Sequence, residues 1–151
     1  MQQQNRNRGE EVLIPEYSLV DFGAFVFSQK SWDKLTLSGG MRFANRWLNS
    51  KPFMEGPDVK FIAFEKNFSN VSGSLGVSYQ PSALVTLKFN VARGFRAPAI
   101  AELSSNGTHE GTNRYEYGDL NLKSETSLQF DAGFGLESEH ISLEATFFSN
   151  N

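Results

Sequence analysis

At 151 residues the chain is long enough for one domain with a core of its own. Fourteen Lys and Arg against seventeen Asp and Glu leave a net charge of -3, so no basic excess exists to neutralise phosphates and a nucleic-acid partner is excluded as the main function. The chain has no cysteine, hence no disulfide frame, thiolate metal site or Cys nucleophile, and no run of eighteen apolar residues that would cross a membrane as a helix.

The first eight residues, Met1 to Arg8, lack the apolar stretch of an export signal. An exported protein with this start is expected to be a mature form or a fragment. The first strand is expected at 18–30, with Phe22, Ala24 and Val26 against Phe25 and Phe27. A short turn, Ser31 to Lys34, leads to a strand at 35–46. There Leu35, Leu37, Met41 and Phe43 oppose Thr36, Ser38, Arg42 and Arg46. A long connection at 47–67 follows. In 71–80 Val71, Leu75, Val77 and Tyr79 alternate with Ser72, Ser74, Gly76 and Ser78. Gln80 to Ala83 is a second short turn. In 84–92 Val85, Leu87, Phe89 and Val91 oppose Thr86, Lys88 and Asn90. The longest connection, 97–124, comes next. In 127–137 Leu128, Phe130, Ala132, Phe134 and Leu136 oppose Gln129, Asp131, Gly133, Gly135 and Glu137. After the turn at 138–140, Ile141, Leu143, Ala145 and Phe147 oppose Ser142, Glu144 and Thr146. No window keeps an apolar stripe of helical period.

Alternation alone also suits a soluble β-sandwich, whose sheets are wet on one side. The connections separate the two readings. Short and long ones alternate strictly, as in an up-and-down transmembrane barrel, whose turns are tight at one end while its outer loops carry function. The mean hydropathy of -0.38 does not oppose this, because barrel strands are apolar on alternate residues only. Aromatics at 13%, fourteen of them Phe, and thirteen Gly against five Pro lean the same way. The expected fold is therefore all-β, an antiparallel up-and-down barrel segment of about six strands. Charges on the polar face suit a wet or plugged lumen, or equally the solvent face of a half-buried sheet.

One stretch carries a family resemblance. Residues Arg93 to Pro98 (Arg-Gly-Phe-Arg-Ala-Pro), Glu102-Leu103, the Gly107 to Gly111 loop and Asp119 to Glu125 resemble, in order and spacing, the barrel of TonB-dependent outer-membrane receptors. Asp21-Phe22-Gly23, Leu37 to Arg42 and Gly76 to Tyr79 are also similar to that barrel, so the resemblance spans essentially 1–151. Ser124 stands where the family often has proline, whose effect is only to pre-set extended backbone. Plugged barrels of this kind have about twenty-two strands. The resemblance thus implies a partial barrel domain, with the plug, the TonB-contacting segment and the remaining strands lying outside it. It implies uptake of a scarce nutrient across the bacterial outer membrane: a ferric siderophore, haem, cobalamin or a glycan. The implied partners are outer-membrane lipid and lipopolysaccharide, the plug, TonB and a small-molecule substrate. No catalysis, cofactor or resident metal is implied.

The motif residues are Arg93, Gly94, Phe95, Arg96, Pro98, Glu102, Gly107, Gly118 and Glu125. Arg96 shares the parity of Lys88 and Asn90, and Glu125 that of Gln129 and Asp131, so the two should meet on the polar face at the feet of the longest loop. Such a pair pins the loop base or touches the plug. Arg93 has the opposite parity. It either reaches to the membrane rim or is turned inward by a local bulge before Gly94. His109, Glu110, Tyr115, Glu116 and Tyr117 are the candidates for substrate contact, with loop packing as their plainer role. His109 and His140 are the only histidines, too few for a metal site by themselves. Gly133-Phe134-Gly135 lacks the third glycine and the helix of a dinucleotide site. Ser104 or Ser105 with His109 makes no triad, and the Asn70 and Asn106 acceptor patterns carry no weight here. The rivals are a passive porin and a secreted sandwich module. In the latter Trp32 and Trp47 would be stacking platforms rather than members of interfacial girdles.

Overall fold

The structure is a computed structural model and describes residues 1–8, 12–109 and 114–151. In chain order it has β1 (Gln2–Asn5), β2 (Tyr17–Trp32), β3 (Leu35–Ser50), β4 (Phe53–Glu55), β5 (Asp58–Phe61), β6 (Phe64–Ser82) and β7 (Val85–Arg96). A one-turn helix, α1 (Ile100–Ser104), then precedes β8 (Asn106–His109), β9 (Arg114–Tyr117), β10 (Glu125–Glu137) and β11 (Ser142–Asn150). Seven strands make one antiparallel sheet in the order β1-β2-β3-β6-β7-β10-β11, and β4-β5 and β8-β9 form two small hairpins. Neighbours follow the chain without a crossover, as an up-and-down meander requires. A sandwich needs two large sheets packed face to face. Among the described residues there is one.

The chain divides into two compact units. One comprises Gly23–Phe43, Asn70–Phe95 and Thr126–Asn151. Here the register pairs Leu75 with Val91, Val77 with Phe89 and Tyr79 with Leu87 on one face, and Ser74 with Ala92, Gly76 with Asn90 and Ser78 with Lys88 on the other. Across β10 and β11, Ala132 faces Phe147 and Leu136 faces Leu143, while Gly133 faces Thr146 and Gly135 faces Glu144. The apolar face lies open: Val26, Leu75, Phe89 and Phe147 are all exposed, and Phe25, on the polar side by parity, is exposed as well. The polar face binds itself together. Asn90 Nδ2 donates to Asp131 Oδ2 at 3.0 Å, and Lys88 Nζ reaches Glu144 Oε1 at 3.3 Å. A sheet that leaves its apolar face bare and ties its polar face suits lipid on the first side and a lumen on the second.

The other unit comprises Met1–Phe22, Ala44–Ser69 and Arg96–Glu125. Its core is Leu19, Leu48, Phe68 and Leu103, with Tyr17, Phe64, Ala97, Ile100 and Leu120 packed around it. Leu48 on β3 has the parity of Arg42 and Arg46, the polar face of the first unit, whereas Asn45 and Asn49 carry the parity of Met41 and Phe43. Asn45 Nδ2 donates to Asn67 Oδ1 at 2.8 Å, and Asn49 Nδ2 donates to Glu65 Oε1 at 2.6 Å. The polarity of the two faces therefore inverts along β3 and β6. Arg46 still has its polar-face partner: Nε and Nη2 fork onto Asp21 Oδ1 and Oδ2 at 2.8 and 3.0 Å.

This inversion corrects the expected boundaries. The connections 47–67 and 97–124 are not long bare loops. β3 runs on to Ser50, β6 starts at Phe64, and a hairpin fills most of the interval. α1 and the β8-β9 hairpin likewise occupy much of 97–124, and β1 is an added seventh strand. Ladder hydrogen bonds continue wherever neighbours remain, while a fixed inside-outside pattern ends where the surroundings of the two faces change. Leu103, at 0% exposure, is the helical side chain buried in this core, with Ile100 packed against it. Leu103→Ala is expected to cost about 2–5 kcal/mol of local stability. Amide hydrogen exchange of 97–105 in the intact receptor measures it, and unchanged protection would refute the packing role.

Candidate functional site

The loop that leaves β7 and returns through β10 is closed at its base by Arg96. β7 ends with this residue, and Ala97-Pro98 then stops the ladder, since proline offers no N–H and forces the preceding residue out of helical backbone. Pro98 is buried, and the chain turns at once into α1 with Ala99 as N-cap. Alanine has no side-chain acceptor for the free N–H groups of a first turn. Glu102, at the third helical position, supplies half of a capping box: its Oε2 accepts the Ala99 N–H at 2.7 Å.

The same carboxylate faces Arg96. Arg96 Nη1 donates to Glu102 Oε1 and Oε2 at 2.9 and 2.8 Å, while Nε and Nη2 fork onto Glu125 Oε2 and Oε1 at 3.0 and 2.9 Å. One planar guanidinium thus joins the end of β7, the start of α1 and the start of β10. Arginine suits this task because its five N–H groups lie in one plane, whereas lysine presents a point charge. The Glu125 contact follows from parity. Glu102 as a second partner escaped that reasoning, and the signal for it was its distance of three residues from the N-cap. Both ends of the clasp are open to solvent, so its worth lies in fixing geometry more than in bulk stability.

Glu102 carries a pH consequence. The Ala99 N–H first, and Arg96 second, hold its carboxyl below the ordinary 4.5. A depressed carboxyl stabilises the folded arrangement fully above the ordinary value and loses that contribution as pH falls through its own lower value. Acidification below about pH 4.5 is therefore expected to free α1 before the strands. Proteolysis at loop residues across pH 3 to 7, with an acid-stable protease, measures it; susceptibility that is flat with pH would refute it.

Beyond α1 the chain is held by backbone bonds. Gly118 N donates to Ser105 O at 2.8 Å and Asp119 N donates to Glu102 O at 2.9 Å. Gly118 permits this approach. A Cβ there would sit 2.5 Å from the Leu103 carbonyl carbon and 2.7 Å from Ser104 Cα, and would also strike Ser104 N. Gly107 on β8 pairs with Glu116 and lies against Leu13. Gly94 faces Ser127, and Phe95 is half-buried on β7.

Of the substrate candidates, Tyr115 and Tyr117 lie on one side of β9, 64% and 82% exposed. Tyr115 Oη donates to Asn106 Oδ1 at 2.6 Å. Glu116, on the other side, is half-buried. His109 is placed by its backbone opposite Arg114. Glu110 lies outside the described residues. Among the described residues no group of three or more His, Cys, Asp or Glu is arranged to hold a metal ion.

Arg93 keeps the regular register opposite Gly73, so no bulge before Gly94 turns it inward. It stays on the apolar face and folds back along β6, where Nη1 donates to Asn70 Oδ1 at 3.0 Å and to the Val71 carbonyl. Trp32 ends β2 and Trp47 lies near the end of β3, both half-exposed with apolar-face parity.

A meander with a bare apolar face, a tied polar face and its longest loop anchored by a clasp defines the wall of a transmembrane β-barrel. The family described as TonB dependent receptor-like, beta-barrel, matches residues 4–151, and the chain belongs to it. Its members are receptors and transporters of the Gram-negative outer membrane, not enzymes. Two solved structures share the fold. A double mutant of the Serratia marcescens hemophore receptor HasR, in complex with its hemophore HasA and heme, superposes with a TM-score of 0.77 at 18% identity. That match covers 95% of this chain and 27% of HasR. The copper transporter OprC gives a TM-score of 0.69 at 18% identity over 87% of this chain and 21% of its own. The chain thus spans about a quarter of the length of these receptors.

Proposed function

We propose that this chain is part of the barrel wall of an outer-membrane receptor that takes up a scarce nutrient with energy delivered through TonB. The observation that carries the reading is the family match over residues 4–151. Its apolar face meets the lipid and lipopolysaccharide of the outer membrane. Its polar face, with Asp21–Arg46, Lys88–Glu144 and Asn90–Asp131 already tied, presents a preformed wall to a plug domain contributed by another part of the receptor. Fixed polar groups of this kind suit a partner that must later move, because they hold it through directional bonds that exchange with water.

The loop between β7 and β10 is the substrate-facing part. His109, Glu110, Tyr115, Glu116 and Tyr117 are its contact residues, and Arg96 with Glu102 and Glu125 holds its base. The cargo is one of the family's scarce nutrients: a ferric siderophore, haem, cobalamin or a glycan. Uptake assays in strains with and without functional TonB test the function. Growth on a limiting nutrient should require both the receptor and TonB, and the receptor should leave the outer membrane only with detergent. Uptake that ignores TonB would reduce the protein to a passive pore, and extraction in plain buffer would remove it from the membrane altogether.

A further inference from the structure

The β4-β5 hairpin and the segment running from α1 through β8 flank an open pocket of about 260 Å3. Its apolar wall includes Phe61, Phe64 and Leu120, and its polar wall Ser105 and Asn106, with Tyr117 at the rim. We propose that it receives one neutral, hydroxyl-bearing sugar ring of the imported substrate, stacked on Tyr117. The proposal rests on the receptor reading above and names the substrate class for the same loop.

Size is the first argument. Pockets for drug-sized ligands run from about 300 to 1,000 Å3, so this one suits a single ring and not a whole macrocycle. Charge is the second. Lys60 is the only charged residue in the wall, and its Nζ is engaged by Glu55 Oε1 at 3.0 Å. An anionic iron complex, or the carboxylates of a porphyrin, would meet there a cation whose charge Glu55 already offsets. The third is the hydrogen-bonding inventory. Ser105 Oγ has no partner among the described residues, but it is closed off from solvent and offers no ready contact. Asn106 is oriented by its bonds to Lys60 O at 2.9 Å and from Tyr115 Oη at 2.6 Å, which leaves its amide one further N–H and one further lone pair. Neutral donors and acceptors beside an exposed phenol ring match the two sides of a sugar, whose C–H face is apolar and whose edge carries hydroxyls. Tyr117 is 82% exposed, so it offers that ring face without repacking.

The test is calorimetric titration of the full-length receptor in detergent. The probes are neutral tetrasaccharides of α-glucose, β-glucose, mannose and N-acetylglucosamine, with haem and a ferric hydroxamate run beside them. At least one saccharide should bind. Tyr117→Ala should weaken it about tenfold, and Tyr117→Phe should leave it intact. Saccharide binding that is indifferent to Tyr117→Ala overturns the pocket assignment. Failure of all four saccharides overturns the sugar inference, while binding of haem or the iron complex with TonB-dependent uptake leaves the receptor reading standing. Growth on the limiting nutrient that ignores TonB sinks the receptor reading itself.

Discussion

Arg96→Ala should release the loop between β7 and β10 while leaving the sheet in place. Four hydrogen bonds from one guanidinium disappear, and Glu102 and Glu125 are left with like charges close together at the loop base. Glu102 keeps its bond from the Ala99 N–H, so α1 is loosened at its base and not dissolved. Trypsin should then cut faster after Arg114 and Lys123, both in this loop, than after Lys30 or Lys88, which lie within β2 and β7. Arg96→Lys is the informative companion. It keeps the charge but cannot fork onto two carboxylates at once, so it should fall between wild type and alanine. Uptake should fall in the same order. Equal cleavage of all three proteins at Arg114 would show that the clasp does not hold the loop.

Gly118→Ala should have the second large effect, for a steric reason. Its methyl group would enter the space of Ser104 N, Ser104 Cα and the Leu103 carbonyl carbon, all of them backbone or attached directly to it. No flexible side-chain end can swing aside. The segment must move away from α1, stretching the bonds from Gly118 N to Ser105 O and from Asp119 N to Glu102 O. Overpacking of this kind costs about 1–3 kcal/mol. Hydrogen exchange at the amides of residues 118 and 119 should rise sharply, and any ligand bound against this segment should weaken with it. Wild-type exchange at those two amides would mean that the approach is slack.

Much of this is legible in the sequence. The six long strands and their order follow from alternation and from tight turns such as Ser31 to Lys34. The meeting of Arg96 with Glu125 follows from counting parity on two strands. The ends of the strands were not legible. Period-two reasoning recognises a strand by the constancy of its faces, and β3 changes its faces between Phe43 and Leu48 while the ladder runs on. The 47–67 stretch therefore looked like a loop, although both of its flanks are strand. α1 was hidden because one turn is too short to show a helical stripe. Its only markers were Pro98 and the interval from Ala99 to Glu102. The pocket beneath Tyr117 was illegible for another reason: Phe61 and Ser105 lie more than forty residues apart in sequence and meet only through the fold.

The exchange of faces along β3 and β6 also sets how this wall can change length over evolutionary time. A one-residue insertion between Phe43 and Leu48 would swing Leu48 away from Leu19 and Phe68 and put Trp47 or the added residue in its place. Two added residues would restore every side chain to its side and only lengthen the ladder by one pleat. Outside that interval the hairpin tips at residues 33–34, 56–57 and 83–84 carry no such parity. Surviving length variants of this domain should therefore accumulate at the tips in any number, and along the strands only in pairs.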